Sequence, residues 1–412
     1  MTGKIAIVGA GPSGCFLAQA LLKAAPELEV DVIDALPVPF GLVRYGVAAD
    51  HQGTKAVTRQ FARVFERQGA RFFGNLCIGR DVSLDDLRAA YDVVVLAAGM
   101  PVDNRLGVPG DDLEGVYGAG RITRALYEHP DAEALPDLGP NPLIVGNGNV
   151  AIDLLRLLAK QPEELAGSDL GPGPSDWLAR SGIETITVTG RSPAARAKFD
   201  PVMVKELAKL GGVSISVSGA GEAPDAEAAK RLDALAMIDG HEAGPRKIEF
   251  RFELTPAEVL GEAGKVSGMR FSTPQGGEES IACSSVLTAI GFGPAKDLPR
   301  DALVAAAADA EAGALAAGFY ATGWFRRGPR GTIPDNRADA QALAARILED
   351  LSADPAKPGR ALFDGQPGIV DYDGWCRIDT AETAAPTEGR CRAKIPTRAG
   401  MMKAAIEGVT TR

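Results

Sequence analysis

Lys4-Ile5-Ala6-Ile7-Val8-Gly9-Ala10-Gly11-Pro12-Ser13-Gly14 stands near the start of the chain. The apolar run 5–8 suits a strand buried on both faces of a parallel sheet. Three glycines follow at G-x-G-x-x-G spacing, and residues 15–24 read as a helix. Gly9 permits a tight turn, Gly11 lets the backbone approach a pyrophosphate, and Gly14 lets helix and strand pack closely. The helix N-terminus then offers free N–H groups and a partial positive charge to phosphate. Residues 30–33 form the next strand, closed by Asp34, where an acid accepts hydrogen bonds from a ribose 2′-OH. This predicts a dinucleotide-binding βαβ unit.

A second unit of the same layout begins at Pro142. Residues 143–145 are strand-like, Gly146-x-Gly148-x-x-Ala151 follows, and 151–160 read as a helix. Alanine is an allowed third member of the motif. The next strand, 185–189, closes on Arg191 instead of an acid. An arginine there can pair with a 2′-phosphate that an acid would repel. This favours NADP, with NADH left open.

The rest of the chain organises around these units. Residues 37–46 (PVPFGLVRYG) read as an ordered loop and 54–68 as one helix. Strand 92–98 ends in Gly99. Short alternating strands are expected at 212–217, 248–254 and 266–271. Segment 302–318 reads as a surface helix or loop, 318–323 as a last strand, and 337–351 as a patterned helix. The remainder reads as irregular up to a helix from Thr397. In GWFRRGPRGTI (323–333), Trp324 offers an apolar face to a planar ring. Backbone N–H groups of Gly331, Thr332 and Ile333 can stabilise negative charge on such a ring.

The 412 residues suit two domains. A net charge of −10 argues against nucleic acid or an acidic membrane as main partner. No apolar run approaches the ~18 residues of a membrane span. A strand begins almost at once, leaving no room for a signal peptide. Cys15, Cys77, Cys283, Cys376 and Cys391 contain no CxxC and no metal-type cluster. Reduced thiols in a cytoplasmic protein are expected, with no metal and no internal disulfide chemistry. A monomer or weak homodimer is expected.

Together these residues resemble the adrenodoxin reductase family of ferredoxin–NADP reductases, bacterial members included. The specific parts are PVPFGLVRYGVAADH (37–51), GNGNVAIDLLRLL (146–158) and GWFRRGPRGTI (323–333). The resemblance implies an α/β fold of two Rossmann-like dinucleotide-binding domains. The nicotinamide domain (106–291) is inserted into an FAD domain (1–105 and 292–412). It implies an enzyme passing hydride from NAD(P)H to FAD, then single electrons to a ferredoxin-type iron–sulfur protein. That carrier would feed a P450, an oxygenase or a biosynthetic enzyme.

Carried over by position, FAD contacts are Ser13, Asp34, Leu42, Ile78, Trp324, Gly331, Thr332 and Ile333, beside Gly9, Gly11 and Gly14. Nicotinamide-dinucleotide contacts are Asn147, Gly148, Asn149, Val150, Arg191 and again Gly331. His51, Asp153 and Glu206 match residues near the family's redox centre and have supporting roles, His51 as a proton carrier. The family has two arginines where this chain has Arg191-Ser192, and a glutamate where it has Met203. Arg196 and Lys198 stand nearby as replacement charges. The runs Arg326-Arg327-Gly328-Pro329-Arg330 and Arg246-Lys247 are candidates for meeting an acidic carrier. His129 and His241 read as isolated surface residues.

Three rivals remain. A glutamate-synthase-like small subunit would need a cysteine cluster that is lacking. A flavin monooxygenase would react with oxygen itself. A redox sensor would keep FAD and have lost nicotinamide use, an idea resting on Ser192 and Met203.

Overall fold

The computed structural model describes residues 2–384, 386 and 389–407. The chain divides into two compact units, one of Met1–Val102, His129–Asp131 and Phe292–Arg412, the other of Asp103–Glu128 and Ala132–Gly291. The first boundary thus falls three residues before the expected 105/106, and His129–Asp131 group with the first unit.

In the first unit a six-stranded sheet runs Ala314–Ala316, Phe319–Ala321, Val93–Leu96, Lys4–Val8, Glu29–Ile33, Arg71–Phe73. All neighbours are parallel except the first pair. The strands are short and apolar because both faces are covered; residues 5–8 and 93–96 are buried throughout. From Lys4–Val8 the chain goes to Glu29–Ile33 on one side and later to Val93–Leu96 on the other. The order of strands therefore reverses at Lys4–Val8, and open α/β sheets bind ligands beyond the strand ends at such a point.

The second unit repeats this plan. Its main sheet runs Val116–Gly118, Ser285–Thr288, Pro142–Val145, Thr185–Gly190, Arg246–Phe252, Val213–Ser218, all parallel. The reversal lies at Pro142–Val145. A separate antiparallel sheet, Thr255–Glu262, Lys265–Ser272 and Glu278–Ala282, packs its apolar side over Leu143, Val145 and Val286.

Several local expectations are corrected. Residues 37–46 contain one helical turn, Leu42–Tyr45. The expected 54–68 helix is two, Gln52–Lys55 and Thr58–Glu66. Segment 302–318 holds helix Arg300–Ala305 and the edge strand Ala314–Ala316. The helix expected from 337 starts four residues earlier, at Ile333, where Thr332 and Asp335 form a capping box. The tail thought irregular contains helix Tyr372–Ala384 before the final Arg398–Glu407. Neither of the two dismissed histidines is isolated. His129 stacks edge-on against Tyr45 at 4.8 Å, and His241 Nε2 lies 3.0 Å from the Leu210 carbonyl. Among the described residues no helix is long and apolar enough to cross a membrane.

Glycine chemistry makes a direct test of the first βαβ unit. A Cβ on Gly14 would stand 1.9 Å from the Gly9 carbonyl oxygen, a backbone atom with no room to yield. Gly14→Ala should lower unfolding stability in urea by about 3 kcal/mol or more. Gly53→Ala, where a Cβ meets nothing within 4 Å, should be neutral or gain up to about 1 kcal/mol.

Candidate functional site

Each glycine motif sits at the strand reversal of its own sheet. Gly9 has φ +116°, and a Cβ there would lie 2.4 Å from the Ala97 carbonyl oxygen. Gly146 has φ +126°, and its Cβ would lie 2.2 Å from the Ala289 carbonyl oxygen. In both units the loop therefore backs onto the strand across the reversal. Gly11 and Gly148 are opposite in character: a Cβ on either would meet nothing within 4 Å. Each is the N-cap of the following helix, Pro12–Ala24 or Asn149–Ala159, and neither helix has a side chain capping its first amides. Open space over uncapped amides fits a pyrophosphate in both units.

Asp34 closes the first site differently from the simple expectation. Its Oδ2 accepts the Ala10 N–H at 2.8 Å and its Oδ1 the Leu36 N–H at 2.9 Å. The carboxylate thus ties the glycine loop to the turn after its strand, while each oxygen keeps a second lone pair for a ribose hydroxyl. Burial pushes the carboxyl up to about 6, against the lowering pull of the two amides and of Arg398. Arg398 stands at the same turn, donating to the Ala35 carbonyl at 2.8 Å and pairing with Asp131.

The remaining first-unit candidates lie on several segments, and contacts join Ser13 to Gly323 and Trp324 to Gly331. Leu42 is 43% exposed beside buried Val43, Arg44 and Tyr45. The Ile78 side chain belongs to the core with Val8, Ile33 and Leu96. Ser13 is buried; its hydroxyl bonds to Asn336 Oδ1 at 3.2 Å and crowds Gly323, where a Cβ would lie 1.9 Å away. Trp324 stacks on Phe292 at 6.1 Å, and its Nε1–H donates to the Gly331 carbonyl at 3.3 Å. The Thr332 N–H is taken by Asp335 Oδ2 at 2.6 Å. That removes it from the expected row of donors and leaves the Gly331 and Ile333 amides. His51 caps the Gln52–Lys55 helix, its own N–H bonded to the Ala48 carbonyl at 3.0 Å.

In the second unit Asn149 and Val150 form the first turn of the helix. Asn149 Oδ1 accepts the Asp200 N–H at 2.7 Å. The Lys198 N–H bonds to the Asn147 carbonyl at 3.2 Å. Segment 194–200 is thereby fastened to the glycine loop, with Arg191, Arg196 and Lys198 exposed and in no ion pair among the described residues. Asn147 Nδ2 is buried with no hydrogen-bond partner, a donor that a bound polar group would satisfy. Ser192 offers its carbonyl to the Glu253 N–H at 3.4 Å.

Asp153 and Glu206 are brought together by a residue the sequence did not single out. Arg156 is 2% exposed, 2.9 Å from Asp153 Oδ1 and 3.6 Å from Glu206 Oε2. The only sequence signal was its i,i+3 spacing from Asp153. Arg44 and Glu382 were also missed. They form a buried pair at 2.5 Å, recoverable only by knowing that residue 382 returns to residue 44. Burial alone would raise the Glu382 carboxyl, but Arg44, the Ile395 amide and Arg392 hold it below the usual range.

In the two candidate docking runs, three cations are held inward while Lys247 and Arg330 are exposed. Arg246 donates to the Leu158, Ala159 and Ile183 carbonyls, so it caps a helix end. Arg326 pairs with Asp339, and Arg327 with Asn336 Oδ1 at 2.7 Å. Both satisfy internal acceptors; Arg330 stays exposed.

The raised Asp34 carboxyl has a defined sign. A carboxyl favoured neutral in the fold stabilises most below its unfolded value of about 4, and that contribution is lost as pH rises to about 6. In dinucleotide-free protein, the stability of the parent relative to Asp34→Asn should therefore fall between pH ~4 and ~6 by roughly 1–3 kcal/mol, read by urea unfolding. A flat difference would contradict a raised carboxyl at this part-buried position.

Comparison with known proteins agrees with this geometry. Residues 7–73 match the family described as NAD(P)-binding Rossmann-like domain. The chain is 40% identical over 415 aligned residues to cindoxin reductase of Citrobacter braakii, covering 97% of this chain and 90% of that one. It is 32% identical to the mitochondrial NADPH:adrenodoxin oxidoreductase of Arabidopsis thaliana, covering 97% and 95%. The structure of Mycobacterium tuberculosis FprA in complex with NADPH superposes with a TM-score of 0.89 at 30% identity, over 98% of this chain and all of that one. With two glycine cradles on one chain and kinship along almost its whole length, the protein belongs to the adrenodoxin reductase-like family of ferredoxin–NADP reductases.

Proposed function

We propose that the chain is an NADPH-dependent flavoprotein reductase, with FAD in the first unit, the nicotinamide in the second, and a ferredoxin-type iron–sulfur protein as electron acceptor. The observation that carries this is the pair of open cradles with opposite closing residues. Asp34 closes the first, whereas Arg191 and the fastened Arg196 and Lys198 flank the second. Bound there, FAD supplies acceptance of an electron pair from the nicotinamide and its release one electron at a time.

The chain's own residues bind, orient and screen. Uncapped amides beyond Gly11 and Gly148 hold the two pyrophosphates. The free lone pairs of Asp34 take the ribose of the first dinucleotide. Trp324, fixed by Phe292 and by its bond to Gly331, covers part of the flavin ring. The Gly331 and Ile333 amides would be the donors offered to negative charge on the bound ring. Arg191 with Arg196 or Lys198 holds the 2′-phosphate in place of the family's paired arginines. The Asn147 amide supplies a further donor. Arg156 orients Asp153 and Glu206, and His51 would serve as a proton carrier at its imidazole. The family's named relatives act with adrenodoxin and ferredoxin, which supports a small one-electron carrier here. Cysteines in no disulfide among the described residues fit a cytoplasmic setting.

Anaerobic stopped-flow reduction of the yellow protein tests the reading. NADPH should bleach the flavin band near ~450 nm at far lower concentration than NADH. An acidic ferredoxin should then accept electrons, whereas in aerated buffer without a carrier, oxygen uptake with hydroxylation would favour a monooxygenase. Bleaching by neither nucleotide would support the sensor reading.

The same assay resolves the phosphate site. Arg191→Ala should raise KM for NADPH about ten- to hundredfold, the range for losing a charged hydrogen bond, and leave KM for NADH nearly unchanged. Equal effects on both nucleotides would remove Arg191 from the 2′-phosphate.

A further inference from the structure

The Tyr372–Ala384 helix buries Trp375, Ile378 and Glu382 on one face. Glu382 is fully buried, and its oxygens are well supplied with donors. Oε1 takes Arg44 Nη2 at 2.5 Å and the Ile395 N–H at 2.9 Å; Oε2 takes Arg392 Nη1 at 2.8 Å. The Trp375 ring meets Phe40 at right angles at 5.7 Å and lies under the Arg44 guanidinium at 5.3 Å.

Both partners, Phe40 and Arg44, belong to a strained turn. Phe40 has φ +83°, a region bulky L-residues avoid. Gly41 follows at φ +46°. The Phe40 N–H bonds to the Ala10 carbonyl at 2.8 Å, and a Cβ on Gly41 would stand 3.0 Å from Gly11 Cα. The turn therefore forms one wall of the Gly11 cradle. Such strain persists only where the surroundings over-determine it, and the helix supplies two of the determinants. A buried ion pair adds little stability over an apolar pair of similar volume. What it adds here is the direction in which Arg44, and so the turn, is held.

We propose that Glu382, assisted by Trp375, is a positioning residue for the dinucleotide of the first unit: through Arg44 it holds the Phe40–Gly41 turn against Gly11 and sets the place of the exposed Leu42. The role rests on FAD occupying the first unit.

The test uses the full chain. Arg44→Met combined with Glu382→Met removes both charges, so neither is left buried alone. Thermal unfolding of the flavin-free protein, flavin fluorescence titration and visible circular dichroism of the bound flavin are compared with the parent. The double variant should unfold cooperatively near the parent temperature. Its FAD dissociation constant should rise about tenfold or more, with an altered flavin dichroism, because pre-organisation of the cradle is lost. A dissociation constant within about twofold of the parent and an unchanged dichroism would overturn the role. Should the double variant fail to fold, Arg44→Lys keeps the charge and loses the planar fork. Weakened FAD and altered dichroism there would support the role; parent-like values would overturn it. A parent chain that takes up no FAD would overturn the flavin assignment, and this role with it.

Discussion

The contact between a glycine and the carbonyl of a neighbouring strand underlies both nucleotide sites. Gly9 rests on the Ala97 carbonyl and Gly146 on the Ala289 carbonyl, each at a distance no side chain permits. Backbone against backbone places the loop directly over the sheet end, and the following helix starts there with its amides uncapped. The open space at Gly11 and Gly148 is the consequence. The third motif position shows how far the two units can differ. Gly14 has no room for a Cβ, whereas the second unit accommodates the fully buried Ala151.

Around these shared frames the two units use different electrostatics. The first closes on a carboxylate already bonded to two amides, so its charge serves the loop as well as a ligand. The second closes on exposed cations carried by a segment that hydrogen-bonds to its own glycine loop through Lys198 and Asp200. That fastening supports the proposed role of Arg191, Arg196 and Lys198 toward a phosphate, because it holds the backbone that bears these charges against the glycine loop.

Several arginines of the candidate docking runs serve the interior. Arg246 caps a helix, and Arg326 and Arg327 answer Asp339 and Asn336; Arg156, which the sequence did not single out, holds two carboxylates. A guanidinium satisfies several carbonyls or carboxylates at once, so buried or half-buried arginines settle where acceptors converge. Convergence of acceptors is a property of the folded chain and has no signature in local composition.

The sequence by itself determined what depends on neighbours in the chain. The strand–glycine–helix units, the acid or arginine closing each, and the G-x-G spacing are local, because tight turns and helix starts are set by residues a few positions apart. The whole α/β plan and the candidate contacts at Gly9, Gly11, Asp34, Gly148 and Arg191 followed from that. Tertiary structure alone decided the rest. Only the fold could bring Glu382 to Arg44 across 338 positions, set Arg156 against Glu206 as well as Asp153, and leave Asn147 with an unanswered donor. Those outcomes depend on which groups lose water together on folding, and desolvation is shared between segments that the linear order keeps far apart.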